Sequence, residues 1–236
     1  MDTKLPLVFM VKINEILNGT INEIEERQYN IFIGISLGNK YFTKEHIKSY
    51  LKWALDHTKD KVALIIADKI QAINYEVRNG YSKERAMKVS LKLGNRIKEE
   101  VQQIISSFPK KDQNRIVVLH WEEIETKKHL EQVSILFKEF NSNKEFYNEI
   151  INIVKENIKS LNESEYEKLA HYVLNELPTF INGCYFNNEL YNLIIYPGLG
   201  GIDYLSIGLQ TKTKYRELSE RLEIKNKVII IEGYAE

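Results

Sequence analysis

The chain has 236 residues, with 33 basic and 33 acidic side chains and a formal net charge of zero. Hydrophobic residues make up 43% of it, against four prolines and eleven glycines, which excludes a disordered or collagen-like chain and allows a sizeable core. With no net charge to attract it, a nucleic-acid partner would have to be met by a local basic patch.

Cys184 is the only cysteine, so no disulfide forms within the chain and no Cys-based zinc site can be built from it; both fit a reducing cytosol. The apolar run 5–11 is broken by Pro6, preceded by Asp2 and followed by no small-residue cleavage site, which argues against a signal peptide. No apolar stretch reaches membrane-spanning length. The expectation is a cytosolic α/β protein in which residues 1–236 form one domain, a class that often runs past 200 residues.

In chain order, the runs 31–36, 62–67, 115–120 and 192–196 are short and almost continuously apolar, as parallel strands covered on both faces require. The run 228–232 is a fifth candidate. Helical periodicity fills the intervals. Segment 43–57 opens on Thr43 as N-cap and carries Ile47, Tyr50, Leu51 and Ala54 on one stripe. Segment 82–106 opens on Ser82 and carries Ala86, Val89, Leu93, Ile97, Val101 and Ile104. Segment 130–159 is helical with a break near 141–143. Segment 164–175 is another helix, with Pro178 marking its end or a kink. Strands alternating with helices predict an α/β fold with a parallel sheet and right-handed crossovers, with the reactive crevice beyond the carboxyl ends of the strands.

Four features carry chemistry. Ser36 ends an apolar strand, Gly38 permits a tight turn after it, and Asn39 can bond within that turn or reach a ligand. Strand alternation puts Phe32, Gly34 and Ser36 on one face, and Gly34 leaves space beside the hydroxyl. Tyr172 and Glu176, four apart, share a helix face; a carboxylate beside a phenol suits an ammonium group. Tyr196 ends a later strand and would meet Ser36 if the two strands are neighbours. Arg85, Lys88, Lys92 and Arg96 form a basic ridge at i, i+3, i+4 spacing, flanked by Lys83 and Lys98, opposite an apolar face. Each feature alone is also compatible with an ordinary turn, a solvated helix face or a core tyrosine. There is no phosphate loop, since Gly198–Gly201 lacks the lysine, and no Gly-x-Ser-x-Gly elbow. The five histidines show no metal-ligand spacing.

Taken together, the stretch from Gly34 to Asn39, the Tyr172–Glu176 helix and the strand-end Tyr196 resemble the cyclodipeptide synthase family, in the right order along most of the chain. The resemblance implies a Rossmann-like parallel sheet sandwiched by helices, similar to the catalytic domain of class I aminoacyl-tRNA synthetases, two aminoacyl-tRNAs consumed per cycle, and no ATP or other cofactor. No metal or membrane is expected, and a monomer is. It further implies that Ser36 is acylated, that Glu176 and Tyr172 grip the α-ammonium, that Tyr196 assists proton transfer and that Asn39 supports the turn. The family's groups differ at these positions, and Asn39 together with Pro197 after Tyr196 does not assign one.

Backbone amides after Ser36 are candidate oxyanion donors. By alternation, Phe32, Gly34 and Ile194, with Leu64 or Ile65 and Leu119, should line the pocket for the first amino acid. That lining predicts apolar substrates, leucine foremost, and a product such as cyclo(Leu-Leu). Lys83, Arg85, Lys88, Lys92 and Arg96 are the expected tRNA contacts. Three other readings compete: an ATP-dependent or hydrolytic Rossmann-like protein such as a degenerate synthetase domain, a non-catalytic RNA-binding Rossmann-like module whose whole function is the basic ridge, and a plain α/β structural protein in which the serine turn is only a turn.

Overall fold

A computed structural model describes residues 10–235. Residues 5–9 of the N-terminal apolar run lie outside it. The chain runs β1 (Val11–Leu17), α1 (Ile21–Glu25), β2 (Asn30–Ile35), α2 (Lys44–His57), β3 (Val62–Ile66), α3 (Asp68–Asn79) and α4 (Lys83–Ser106). It continues through α5 (Lys110–Gln113), β4 (Ile116–His120), α6 (Trp121–Ile124), α7 (Lys127–Ser142), α8 (Lys144–Asn157) and α9 (Glu163–Asn182). The last elements are β5 (Cys184–Phe186), β6 (Glu189–Tyr196), α10 (Gly201–Gln210), α11 (Arg216–Arg221) and β7 (Ile229–Ala235).

Each of the five apolar runs is a strand. Among the described residues the strands form one sheet in the order β1-β7-β6-β2-β3-β4, with β5 paired to the start of β6. The contacts between β7, β6, β2, β3 and β4 are all parallel, and β1 is antiparallel to β7. The parallel strands are buried on both faces, which explains their lack of polar alternation. One face carries Ile33, Ile35, Leu64, Ile66 and Ile195 and packs on α2 and the C-terminal half of α4. The other carries Phe32, Ala63, Ile65 and Ile194 and packs toward α6, α9 and α10. Beyond α9, an all-helical cluster joins α7, α8, α10 and α11.

The expected caps form. Thr43 accepts from the His46 amide and Ser82 from the Arg85 amide. Asn143 closes α7 and opens α8, its side chain accepting from Glu145 and Phe146. The helix expected to end or kink near Pro178 instead runs to Asn182 with Pro178 inside it. A proline there removes one hydrogen bond and costs about 3 kcal/mol; Leu177, Pro178, Thr179 and Ile181 are buried, and that burial offsets the cost.

One arrangement positions the site. α3 leaves the sheet edge at Asp68, and α4 passes back against it at Ser90 and Gly94. Ser90 donates to the Asp68 carbonyl, and a Cβ on Gly94 would lie 2.5 Å from Asp68 Oδ2. α4 has 24 residues, about 36 Å, whereas a five-residue strand spans about 17 Å. The half of α4 before Gly94 therefore rises with α3 above the carboxyl edge of the sheet as a helical hairpin.

Candidate active site

Ser36 follows the last residue of β2, and the turn after it needs a left-handed residue, which Gly38 supplies at φ +78°. The Asn39 amide donates to the Ser36 carbonyl at 3.3 Å, and Asn39 Oδ1 accepts from the Tyr41 amide at 2.9 Å. Thr43 then starts α2. β6 lies directly beside β2 in parallel, with Ile33 level with Ile195. That pairing brings the strand-end Tyr196 to the serine: Ser36 Oγ and the Tyr196 hydroxyl are 3.0 Å apart. Asn39 Nδ2 makes a longer contact to the same hydroxyl at 3.5 Å.

These residues border a cavity of about 580 Å³ between the sheet edge, α3, α8, α9 and α10. Tyr172 and Glu176 face it from α9. Burial pushes the Tyr172 phenol well above its ordinary value, neighbouring Glu176 and Tyr196 add to that, and the Ser36 hydroxyl opposes it. Burial likewise raises Tyr196, opposed by its bond to Ser36. The Glu176 carboxyl is pushed up to about 8, first by burial and then by Asp203. Asp203 itself is raised to about 6 by burial, against the pull of the Gly200 amide, which donates to it at 2.8 Å. At neutral pH this shift favours the protonated form of Glu176. An ammonium group entering beside it would restore the charge by favouring the carboxylate.

Of the expected pocket residues, Phe32, Gly34, Ile65 and Ile194 line the cavity. A Cβ on Gly34 would meet nothing within 4 Å, so the glycine does leave open space beside Ser36. Leu64 and Leu119 do not line it. Leu64 is level with Ile33 and shares its face, toward α2. Leu119 lies on the cavity side of the sheet but is covered there, and Trp121 stands at the cavity wall instead. His120, at the end of β4, is tied by Nδ1 to Asp68 Oδ2 at 2.6 Å and is absent from the lining.

Sequence reasoning missed Asp203 and the α3 wall formed by Gln71, Asn74 and Arg78. The 71, 74, 78 spacing was a readable signal, since i, i+3, i+7 places the three on one helix face. The basic ridge stands on the outside of α4. Lys83, Arg85, Lys88, Lys92 and Arg96 are all exposed; Arg96 pairs with Glu100 at 3.1 Å and Arg85 lies 4.0 Å over the Tyr81 ring. Lys83 sits at the helix start, off the line of the other four. Among the described residues no group of three or more His, Cys, Asp or Glu side chains is placed to hold a metal ion. No helix among them is long and apolar enough to cross a membrane.

A parallel sheet covered by helices on both faces, with its crevice at the carboxyl ends of neighbouring strands, defines a protein of the Rossmann-like α/β class. A tyrosyl-tRNA synthetase from Archaeoglobus fulgidus superposes with a TM-score of 0.52 at 12% identity, covering 93% of this chain and 60% of that one. Within that class the chain belongs to the cyclodipeptide synthase family, whose family model, described as "Cyclodipeptide synthase", matches residues 16–198. Members are aminoacyl-tRNA-dependent enzymes that form cyclic dipeptides, and this chain is an aminoacyltransferase of that family. Solved structures agree in fold. A cyclodipeptide synthase from Staphylococcus haemolyticus matches with a TM-score of 0.73 at 19% identity, covering 97% of this chain and all of that one (100%). One from Candidatus Glomeribacter gigasporarum, solved bound to Phe-tRNAPhe, matches with a TM-score of 0.59 at 17% identity over 86% of each chain. Among curated protein sequences none matches.

Proposed function

We propose that this chain builds a cyclic dipeptide by successive acyl transfers through Ser36, working in the cytosol as one domain. The observation that carries this reading is the 3.0 Å contact between Ser36 Oγ and the Tyr196 hydroxyl at the edge of a cavity that also holds Glu176 and Tyr172. Ser36 Oγ attacks the ester carbonyl of the first aminoacyl-tRNA. Its proton passes by way of Tyr196 to the departing ribose oxygen, leaving an aminoacyl-serine. Glu176, with Tyr172 beside it, holds the α-ammonium and accepts its proton as the amine attacks the second ester. The amine's second proton goes to the departing ribose oxygen, which releases the second tRNA and leaves a dipeptidyl-serine. The new terminal amine then attacks the serine ester, Ser36 recovers its proton through Tyr196, and the ring leaves.

Splitting the reaction this way lets every bond form at an activated ester. An ester reacts far more readily than an amide, so a hydroxyl placed by two phenols and the amides after Ser36 is adequate without a histidine. Asn39 fixes the turn that aims the serine. Phe32, Gly34, Ile65 and Ile194 favour an apolar first residue, leucine foremost, and cyclo(Leu-Leu) is the product to look for first. The ridge of Lys83, Arg85, Lys88, Lys92 and Arg96 serves the tRNA backbone, as expected of a protein whose relative was solved with Phe-tRNAPhe.

Ser36→Ala tests the reading. Mass spectrometry of the culture medium after heterologous expression should show cyclic dipeptide with wild-type protein and none with the variant, while tRNA affinity and melting temperature stay unchanged. Substantial product from Ser36→Ala would remove Ser36 from the nucleophile role.

A further inference from the structure

The cavity has two electrostatic ends. The acids that line it, Glu176 and Asp203, stand near Ser36, whereas the one lining cation among the described residues is Arg78, on the far part of α3. Gln71, Asn74 and Arg78 form a polar stripe along that helix, facing a largely apolar wall that includes Ile153, Val154 and Ile158. From Asp68 at the sheet edge to Arg78 the helix rises about 15 Å. Arg78 is exposed at that outer end and makes no ion pair or hydrogen bond among the described residues. Asn74 Nδ2 donates to Gln71 Oε1 at 3.0 Å, which leaves the Gln71 amide group and the Asn74 carbonyl without internal partners.

An aminoacyl ester reaching Ser36 must trail its RNA out of the cavity. The bulk of the RNA cannot enter 580 Å³, so a short single-stranded stretch has to thread the mouth, with a phosphate at every step. We infer that the α3 stripe is the entry track for the single-stranded 3′ end of the tRNA, with Arg78 holding one of its terminal phosphates; this rests on the acyl-transfer reading above. The hairpin then serves one RNA from both sides: α4 presents the outer ridge to the duplex backbone, and α3 presents Arg78 to the unpaired end. A guanidinium at a well-hydrated mouth suits a phosphate, which it can grip with two hydrogen bonds.

Binding of uncharged tRNA is measured against salt, for intact tRNA and for tRNA lacking its last three nucleotides, with wild-type, Arg78→Gln and Arg78→Lys proteins. The expected result is a several-fold rise in Kd for intact tRNA with Arg78→Gln, and a log–log salt slope shallower by about 0.7, the value for one single-strand phosphate. Arg78→Lys should recover part of the loss. On the shortened tRNA, wild type and Arg78→Gln should bind alike. Equal losses on both RNAs, no loss on either, or equal wild-type affinity for the two RNAs would overturn the inference. So would unchanged RNA binding with a changed second amino acid in the product, which would make Arg78 a reader of side chains. Because Arg78 has no internal partner, the variants should melt with wild type. The binding measurements use no turnover, so they stand apart from the Ser36→Ala result that decides the reaction itself.

Discussion

The residues that meet around Ser36 come from three parts of the chain, and their legibility differed for a physical reason. Ser36, Gly34 and Phe32 share a strand, so alternation alone fixed their common face. Tyr172 and Glu176 share a helix, so a four-residue spacing did the same. The choice between Leu64 and Ile65 depended on how β3 registers against β2. That register, with Gly34 level with Ile65, is set by three-dimensional pairing and is silent in a linear pattern. Asp203 was hidden for a similar reason, since a loop and the start of α10 carry it to the cavity. Its effect on Glu176 is testable. Glu176 keeps its proton to about pH 8 in the fold, against 4.5 ordinarily. Between those values the native state binds more protons than the unfolded chain, so stability declines as pH rises. Glu176→Gln removes that slope: the variant should melt with wild type near pH 5 and above it at pH 8.5. A melting difference that does not grow over that interval would mean that Glu176 is already charged at neutral pH in the folded protein.

At the level of elements, caps and apolar periodicity located α2, α4, α7, α8 and α9 but left α3, α10 and the short helices unread, and at Pro178 packing overrode the local signal. Pro178 looked like a terminator because an isolated helix would stop there; within α9 the buried turn around it continues to Asn182. β1 escaped notice because it is an edge strand with a largely exposed pattern and an irregular register against β7. The raised hairpin was invisible because nothing in the sequence of α4 marks where it leaves the sheet. Gly94 is the point of closest approach, and its substitution measures how firmly the hairpin is held. Gly94→Ala would force a methyl into the Asp68 carboxylate, which also holds His120 and the Trp121 amide. The expected cost is about 1–3 kcal/mol in urea unfolding, as overpacking of a tight contact usually gives. A cost below about 0.5 kcal/mol, as for an ordinary surface change, would show that α3 and α4 separate easily.

For the whole molecule, zero net charge hides a sharp asymmetry. Lys88, Lys92 and Arg96 stand exposed on one helix face, where Glu100 pairs with Arg96 and leaves the two lysines outside any ion pair among the described residues. Neutralising these three together should lower cyclic dipeptide formation at low salt and flatten its dependence on salt, since each phosphate contact contributes its own share of counterion release. A triple variant with wild-type activity across a salt series would move the RNA site off α4. The parallel sheet and its layers were legible throughout, because five apolar runs alternating with helices admit few other architectures. What the sheet places at its edge also limits what the enzyme can undo. Among the described residues no histidine lines the cavity, and the Ser36 hydroxyl leans on phenols that hold their own protons tightly. Such a serine opens esters but lacks the base needed to cleave an unactivated peptide linkage. Its product consists of two such linkages, so the ring it releases is safe from the residue that made it.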